Sequence, residues 1–348
     1  MRDFYGLIRH TGGRLGLLSG VALLALGTVQ PAQALVINVT YPNPGNVPAA
    51  AMTEINNVVA LLDSSFINNA TVNITVDFTA NCGLGCSSTL GFVGVSYTNW
   101  RNAMIADSTA NPQNTFLAAA VATLPAADPI GNGTMSFVRT ADAEAIGLAN
   151  FAGTDSALTF TNDGVTFEFT GVPTAGLWDF QNVFEHELDE ALGIGSALTH
   201  IVNNGALPAS FEPEDYFRYS STPGVRSITT SPTAAVFFSY NGTTDVAQFN
   251  QNDAACGHAG SPSDFVDRND WINGIGPPCT APATPLVQDA ISFPGQVAAY
   301  GVGSPEFTVL QTLGYNLAAQ VAVPEPGTLA LLGTSLLGLA ALRRRRRT

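Results

Sequence analysis

The chain has 348 residues, of which 46% are hydrophobic and 11% charged, and its formal net charge is −14. Eight of its 13 basic residues lie near the two ends, so residues 35–322 hold five arginines and no lysine against 25 acidic groups, a net charge of −20. Phosphate contacts need basic side chains, so this composition excludes nucleic-acid binding, and it suits a soluble exported protein or one that binds divalent cations.

At the start, Arg2, Arg9 and Arg14 precede an apolar run from Leu15 to Gly27, followed by Ala32-Gln33-Ala34. Basic residues, a short apolar run and small residues are the parts of a signal peptide, which predicts residues 1–34 as a leader cut by signal peptidase near Ala34. The run is short for a permanent membrane anchor. About 290 residues remain before the tail, ample for a sizeable core.

Leu35 to Thr40 reads as a strand closed by Tyr41-Pro42-Asn43-Pro44-Gly45. Pro48 then opens a helix with Met52, Ile55, Val58, Val59 and Leu62 at helical spacing. Val72, Ile74, Val76 and Phe78 alternate with polar residues as a half-buried strand. Cys82 and Cys86 bracket a glycine-rich loop, and Cys256 and Cys279 a longer one; in an exported chain two disulfides are expected. Cys256-Gly257-His258 offers zinc donors but lacks a second Cys-x-x-Cys arm.

A strand is expected over Gly91–Tyr97, then weaker helices over Asn99–Ala106 and Pro112–Leu124. Leu158–Phe160 and Val165–Phe169 flank Asn162-Asp163-Gly164, which predicts a hairpin. A helix is expected from the N-cap Asp179 to the C-cap Gly193, with Leu177, Phe180, Phe184, Leu188, Ala191 and Leu192 as its buried stripe.

That helix carries the chemistry. His186 and Glu190 stand four apart and so share a face, with Glu187 beside them. The frame is H-E-x-x-H-x-x-G-x-x-H with Glu190 in place of the second histidine and Ser196 in place of the third. Imidazole nitrogen and carboxylate oxygen both suit zinc, so His186 and Glu190 are candidate ligands and Glu187 the candidate catalytic base. Ser196 is a poor zinc donor, so the third ligand is open among His200, Asp215, His258 and Ser196 itself. Alternatively, Glu185, Glu187, Asp189 and Glu190 form a solvated acidic face.

Beyond the helix the chain is loop-rich. Glu212 to Tyr219 is a charged-aromatic block whose Arg218 either binds a substrate carboxylate or pairs internally. Val236–Tyr240 reads as a strand turning at Asn241-Gly242. Asp264, Asp267 and Asp270 offer oxygen donors for calcium without a calcium-loop spacing, so a solvated loop is the alternative. A last helix is expected over Glu306–Leu313, ending at Gly314. The four methionines all precede the Asp179–Gly193 helix, so the methionine turn of metzincins is absent. No nucleophile elbow, P-loop or dinucleotide fingerprint stands out.

Finally, Pro324-Glu325-Pro326 is followed by an uncharged stretch from Gly327 to Leu342 and by Arg343–Arg347. Residues 323–348 closely resemble a PEP-CTERM sorting tail, its apolar part a short transmembrane helix with a basic stop. The resemblance implies a Gram-negative exported protein, held transiently in the inner membrane, processed by an exosortase, and delivered to the cell surface or medium. His186–Ser196, Asp215–Tyr219, Phe237–Gly242 and Leu313–Asn316 together resemble secreted metalloproteases that carry such tails. That second resemblance implies an α+β, metzincin-like domain over 35–322, with a mixed sheet, a catalytic helix and a loop-rich C-terminal part. It implies zinc-dependent hydrolysis of peptide or protein substrates. The competing expectation is an inactive metalloprotease-like surface or biofilm-matrix protein.

Overall fold

A computed structural model describes residues 34–79, 84–130, 135–198, 206–231, 233–249, 284–289 and 292–318. The expected leader and tail, Cys82, His200, Cys256, His258, Asp264, Asp267, Asp270 and Cys279 lie outside these residues. Cys86 is disulfide-bonded.

Strand β1 (Val36–Thr40) leads through helix α1 (Ala49–Ser65) to a parallel partner, β2 (Thr71–Thr79). β2 pairs in parallel with β6 (Ser156–Thr161), and β6 pairs antiparallel with β3 (Gly85–Thr89). The resulting order is β1-β2-β6-β3, a mixed sheet with β3 at one edge. β2 alternates buried and part-exposed positions along its length, as its sequence requires.

Two of these pairings correct the sequence reading. Gly85 and Cys86, expected at the end of a glycine-rich loop, open a strand that runs to Thr89. Asn162-Asp163-Gly164 does not close a hairpin, because both sides of β6 are taken by β2 and β3. The following strand, β7 (Phe167–Glu168), pairs instead with β8 (Trp178–Asp179). A local turn signal lost to partners distant in the chain.

β4 (Phe92–Ser96) runs into helix α2 (Tyr97–Ala110), and α3 (Thr115–Thr123) follows. β5 (Met135–Arg139) and the short α4 (Thr140–Ala145) carry no clear signal in sequence. β4, β5 and β9 (Ser210–Phe211) form a second sheet. A third contains β10 (Arg218–Ser220), β11 (Val236–Phe238) and β12 (Ala247–Gln248).

Helix α5 (Phe180–Leu192) packs beside α1 and against β3 and β6. Its Phe180 ring sits 5.4 Å from Phe78 and 5.2 Å from Phe160, joining the helix to the sheet through aromatic contacts. Both caps are as expected. Asp179 accepts the Gln181 N–H at 2.8 Å, and Gly193 ends the helix at φ 125°. A side chain at Gly193 would also crowd Asp142, whose Cβ lies 3.0 Å from the position of the missing Cβ.

Helix α6 (Pro305–Leu313) closes the body. The Tyr315 hydroxyl just beyond it donates to the Leu192 carbonyl at 2.7 Å, fastening the end of α5. Asn114 reaches the same corner, donating to the carbonyls of Gln311 at 3.0 Å and Tyr315 at 3.2 Å. Among the described residues no helix is long and apolar enough to cross a membrane.

Candidate functional site

The acidic residues of α5 are not a solvated face. Glu185 and Asp189 are fully buried, while Glu187 and Glu190 are 3% and 2% exposed. Glu185, Asp189 and Glu190 are held by groups that are distant in sequence or one turn away. Glu185 accepts from Gln181 and Asn182, both at 2.8 Å, and burial raises its pKa to about 8 against those bonds. Asp189 accepts the Tyr300 hydroxyl at 2.5 Å, and burial pushes its carboxyl well above the usual range.

His186 is half-buried, with Nδ1 at 2.8 Å from the Val287 carbonyl oxygen. A carbonyl only accepts, so Nδ1 carries the proton and a neutral ring has its lone pair on Nε2. The segment supplying that carbonyl is itself clamped. Glu306 of α6 accepts the N–H groups of Val287 at 2.8 Å and Gln288 at 3.3 Å, and the Gln288 side chain donates to the His186 carbonyl at 2.9 Å. Orienting a metal-binding imidazole through its other nitrogen is the usual arrangement around such ligands. Nothing in local sequence pointed to Val287, Gln288 or Glu306.

β3 covers the next turn of the helix. Gly85 and Ser87 are two apart on one strand and so point to the same side. A Cβ at Gly85 would lie 2.6 Å from Glu187 Oε1 and 3.0 Å from Val183 Cγ1, so only glycine fits without displacement. The Ser87 hydroxyl donates to Glu190 Oε2. Arg139 of β5 secures the same turn from behind, donating to the Glu190 carbonyl and pairing with Glu212 at 3.3 Å.

Ser196 and Asp215 form a separate node. The Ser196 hydroxyl donates to Asp215 Oδ1 at 2.5 Å and accepts from Arg218 Nη1 at 2.8 Å. Asp215 Oδ2 accepts the N–H groups of Ala197 at 3.1 Å and Glu212 at 2.9 Å. Arg218 is fully buried, donates to the Leu198 carbonyl at 3.2 Å and stacks 4.0 Å from the Phe249 ring centroid. It therefore serves the interior and not an incoming carboxylate. Glu214 completes the node by accepting the Gly195 N–H at 2.6 Å. Burial raises Glu214 to about 8 and Asp215 to about 6, and lowers Arg218 to about 10. Two of the third-ligand candidates are thus brought together with each other and bound into the turn after α5.

His186 and Glu190 fit zinc by donor chemistry, one nitrogen and one oxygen a turn apart. Among the described residues, no group of three His, Cys, Asp or Glu side chains could hold a metal ion.

Comparison with known proteins adds an address. Residues 322–346 match the PEP-CTERM protein-sorting motif. The sorting motif marks the protein for export in a Gram-negative bacterium, for exosortase processing, and for the cell surface or medium thereafter. No curated protein and no solved structure matches the chain significantly.

Proposed function

We propose that the exported body is a zinc-dependent endopeptidase of metzincin-like architecture. His186 and Glu190 would hold the metal, and a third donor would come from His200 or His258. The observation that carries this reading is the His186–Val287 hydrogen bond, which fixes the tautomer a metal-binding imidazole needs. The mixed sheet with α5 beneath its edge strand, and the resemblance to secreted metalloproteases with PEP-CTERM tails, support it further.

In this reading zinc, when bound, supplies Lewis acidity and a water of lowered pKa. Glu187 would serve as the general base toward the attacking water and would return the proton to the leaving amine. Glu190, being anionic, reduces the net charge of the centre, so hydrolysis is expected to be slower than with a second imidazole.

Metal analysis of the processed protein and a casein hydrolysis assay test the proposal, with Glu187→Ala as control. Absence of zinc, or equal activity in the variant, would overturn it. A second reading is an inactive metalloprotease-like surface or matrix protein. It is favoured by β3 lying closed over Glu187 and Glu190, both of which are nearly inaccessible. An experimental structure of zinc-soaked protein separates the two. The enzyme requires a third donor converging with His186 and Glu190 within about 4 Å of a common point, since metal bonds are roughly 2 Å long.

A further inference from the structure

We infer that the outer edge of β4 is a self-association surface, at which a second copy of this chain pairs its own β4 antiparallel about Gly94. The inference stands apart from any metal at α5.

The register of the second sheet fixes which groups face outward. Phe92 lies opposite Arg139, and the Thr140 N–H donates to the Gly91 carbonyl at 3.2 Å. Antiparallel ladders alternate, so Gly91, Val93 and Val95 bond toward β5, while Phe92 and Gly94 turn their N–H and C=O groups the other way. β4 ends its sheet, and no described strand pairs with that side. Edges of this kind are ordinarily guarded by charge, by proline or by a bulge. β1 shows such a guard, its Ile37 N–H being met by Asp63 Oδ1 at 3.0 Å. β4 has none of these devices. Its pairing with β5 runs without a break, and residues 78–100 contain neither a charged side chain nor a proline.

The strand itself selects a second copy as the occupant. It reads Phe-Val-Gly-Val-Ser, so an antiparallel pair centred on Gly94 sets valine against valine and phenylalanine against serine. Residues 92, 94 and 96, which face outward, are then the ones such a pair joins by hydrogen bonds. Charge points the same way. Residues 35–322 carry a net charge of −20, yet two copies meeting along this uncharged stretch oppose no like charges across the strands. The solvent face beside the edge is apolar. Phe92 and Phe137 are 43% and 39% exposed and meet edge to face, their centroids 6.2 Å apart. Gly94 and Ser96 of the second copy are small and leave room for the Phe92 ring. A short strand pair with few flanking side chains makes a small interface, so association is weak and depends on concentration.

The test is sedimentation equilibrium of the processed protein over a range of concentrations, in which the average mass should rise toward that of two chains. Gly94 faces its own counterpart across the two-fold axis. Gly94→Lys and Gly94→Asp should therefore each weaken association about tenfold or more, and an equimolar mixture of the two should restore it. A protein that stays monomeric, or a dimer that both variants leave intact, overturns the inference. A mixture that associates no better than its parts overturns it too. Should either variant fail to fold, hydrogen exchange on the wild-type protein decides. The Phe92 and Gly94 amides should gain protection as concentration rises, and constant exchange there overturns the inference.

Discussion

The His186 ring on α5 donates through Nδ1 to the main-chain carbonyl of Val287, a residue 101 positions away, at 2.8 Å. That carbonyl is held in place by Glu306, whose carboxylate accepts the N–H groups of Val287 and Gln288 on either side of it. Glu306→Ala should therefore release residues 286–289 and cost about 1–3 kcal/mol of stability. Hydrogen exchange should accelerate at the Val287 and Gln288 amides. Unchanged protection there would show that the clamp does not govern the segment.

Gly85 cannot become alanine without moving the Glu187 carboxylate or Val183. Overpacking of this kind costs about 1–3 kcal/mol. Gly85→Ala is expected to lower the thermal midpoint by several degrees. The further variant Gly85→Ala with Val183→Ala should recover part of the loss by making room.

Restoring the third histidine of the zinc-protease frame by Ser196→His should fail. Ser196 is fully buried between Asp215 and Arg218, and an imidazole there would break both hydrogen bonds. The expected result is destabilisation of about 2–4 kcal/mol in denaturant titration, with no gain in zinc affinity. Arg218→Met should cost about 3–5 kcal/mol, because it leaves the buried Asp215 without its countercharge.

The pH dependence of stability follows from the buried acids. Glu54 is raised to about 7 by burial and by Asp179 and Glu168, and Glu214 to about 8 by burial. Each folded-state pKa exceeds the unfolded value of 4.5, so the folded form holds extra protons between the two. Their contribution is fully present below about pH 4.5 and is lost as pH rises through 7 and 8. The thermal midpoint of metal-free protein should fall between pH 5 and pH 9. Glu54→Gln should flatten the part of that fall near pH 7. A midpoint that rises across the range would contradict the assignment.

Replacing Pro324-Glu325-Pro326 by alanines should leave the sorting tail attached. Intact mass measurement on surface and medium fractions would show the longer species accumulating at the inner membrane.

How much of this was legible in sequence depends on where each partner lies. α5, with Asp179 and Gly193 as its caps, was readable because periodicity and capping are local signals. β3 was not, since Gly-Cys-Ser-Ser-Thr shows no apolar alternation. Its inward positions are small because carboxylates lie immediately opposite. Asn162-Asp163-Gly164 misled because it reports a turn and cannot report that β6 already has two neighbours. The same limit hid the burial of Glu187 and Glu190. Charge argued for solvent, while the groups that accommodate it, Ser87, Gly85 and Arg139, come from strands 51 to 103 residues earlier.

The arginines have one more consequence. Arg101, Arg139, Arg218 and Arg226 each give at least one N–H to a main-chain carbonyl, and none of the four is exposed. With no lysine in the chain, the described surface offers trypsin-like proteases no exposed basic residue at which to cut. Once its arginine-ended tail is gone, tryptic cleavage within the described residues should be slow, which leaves Arg268, outside them, as the body's remaining basic residue.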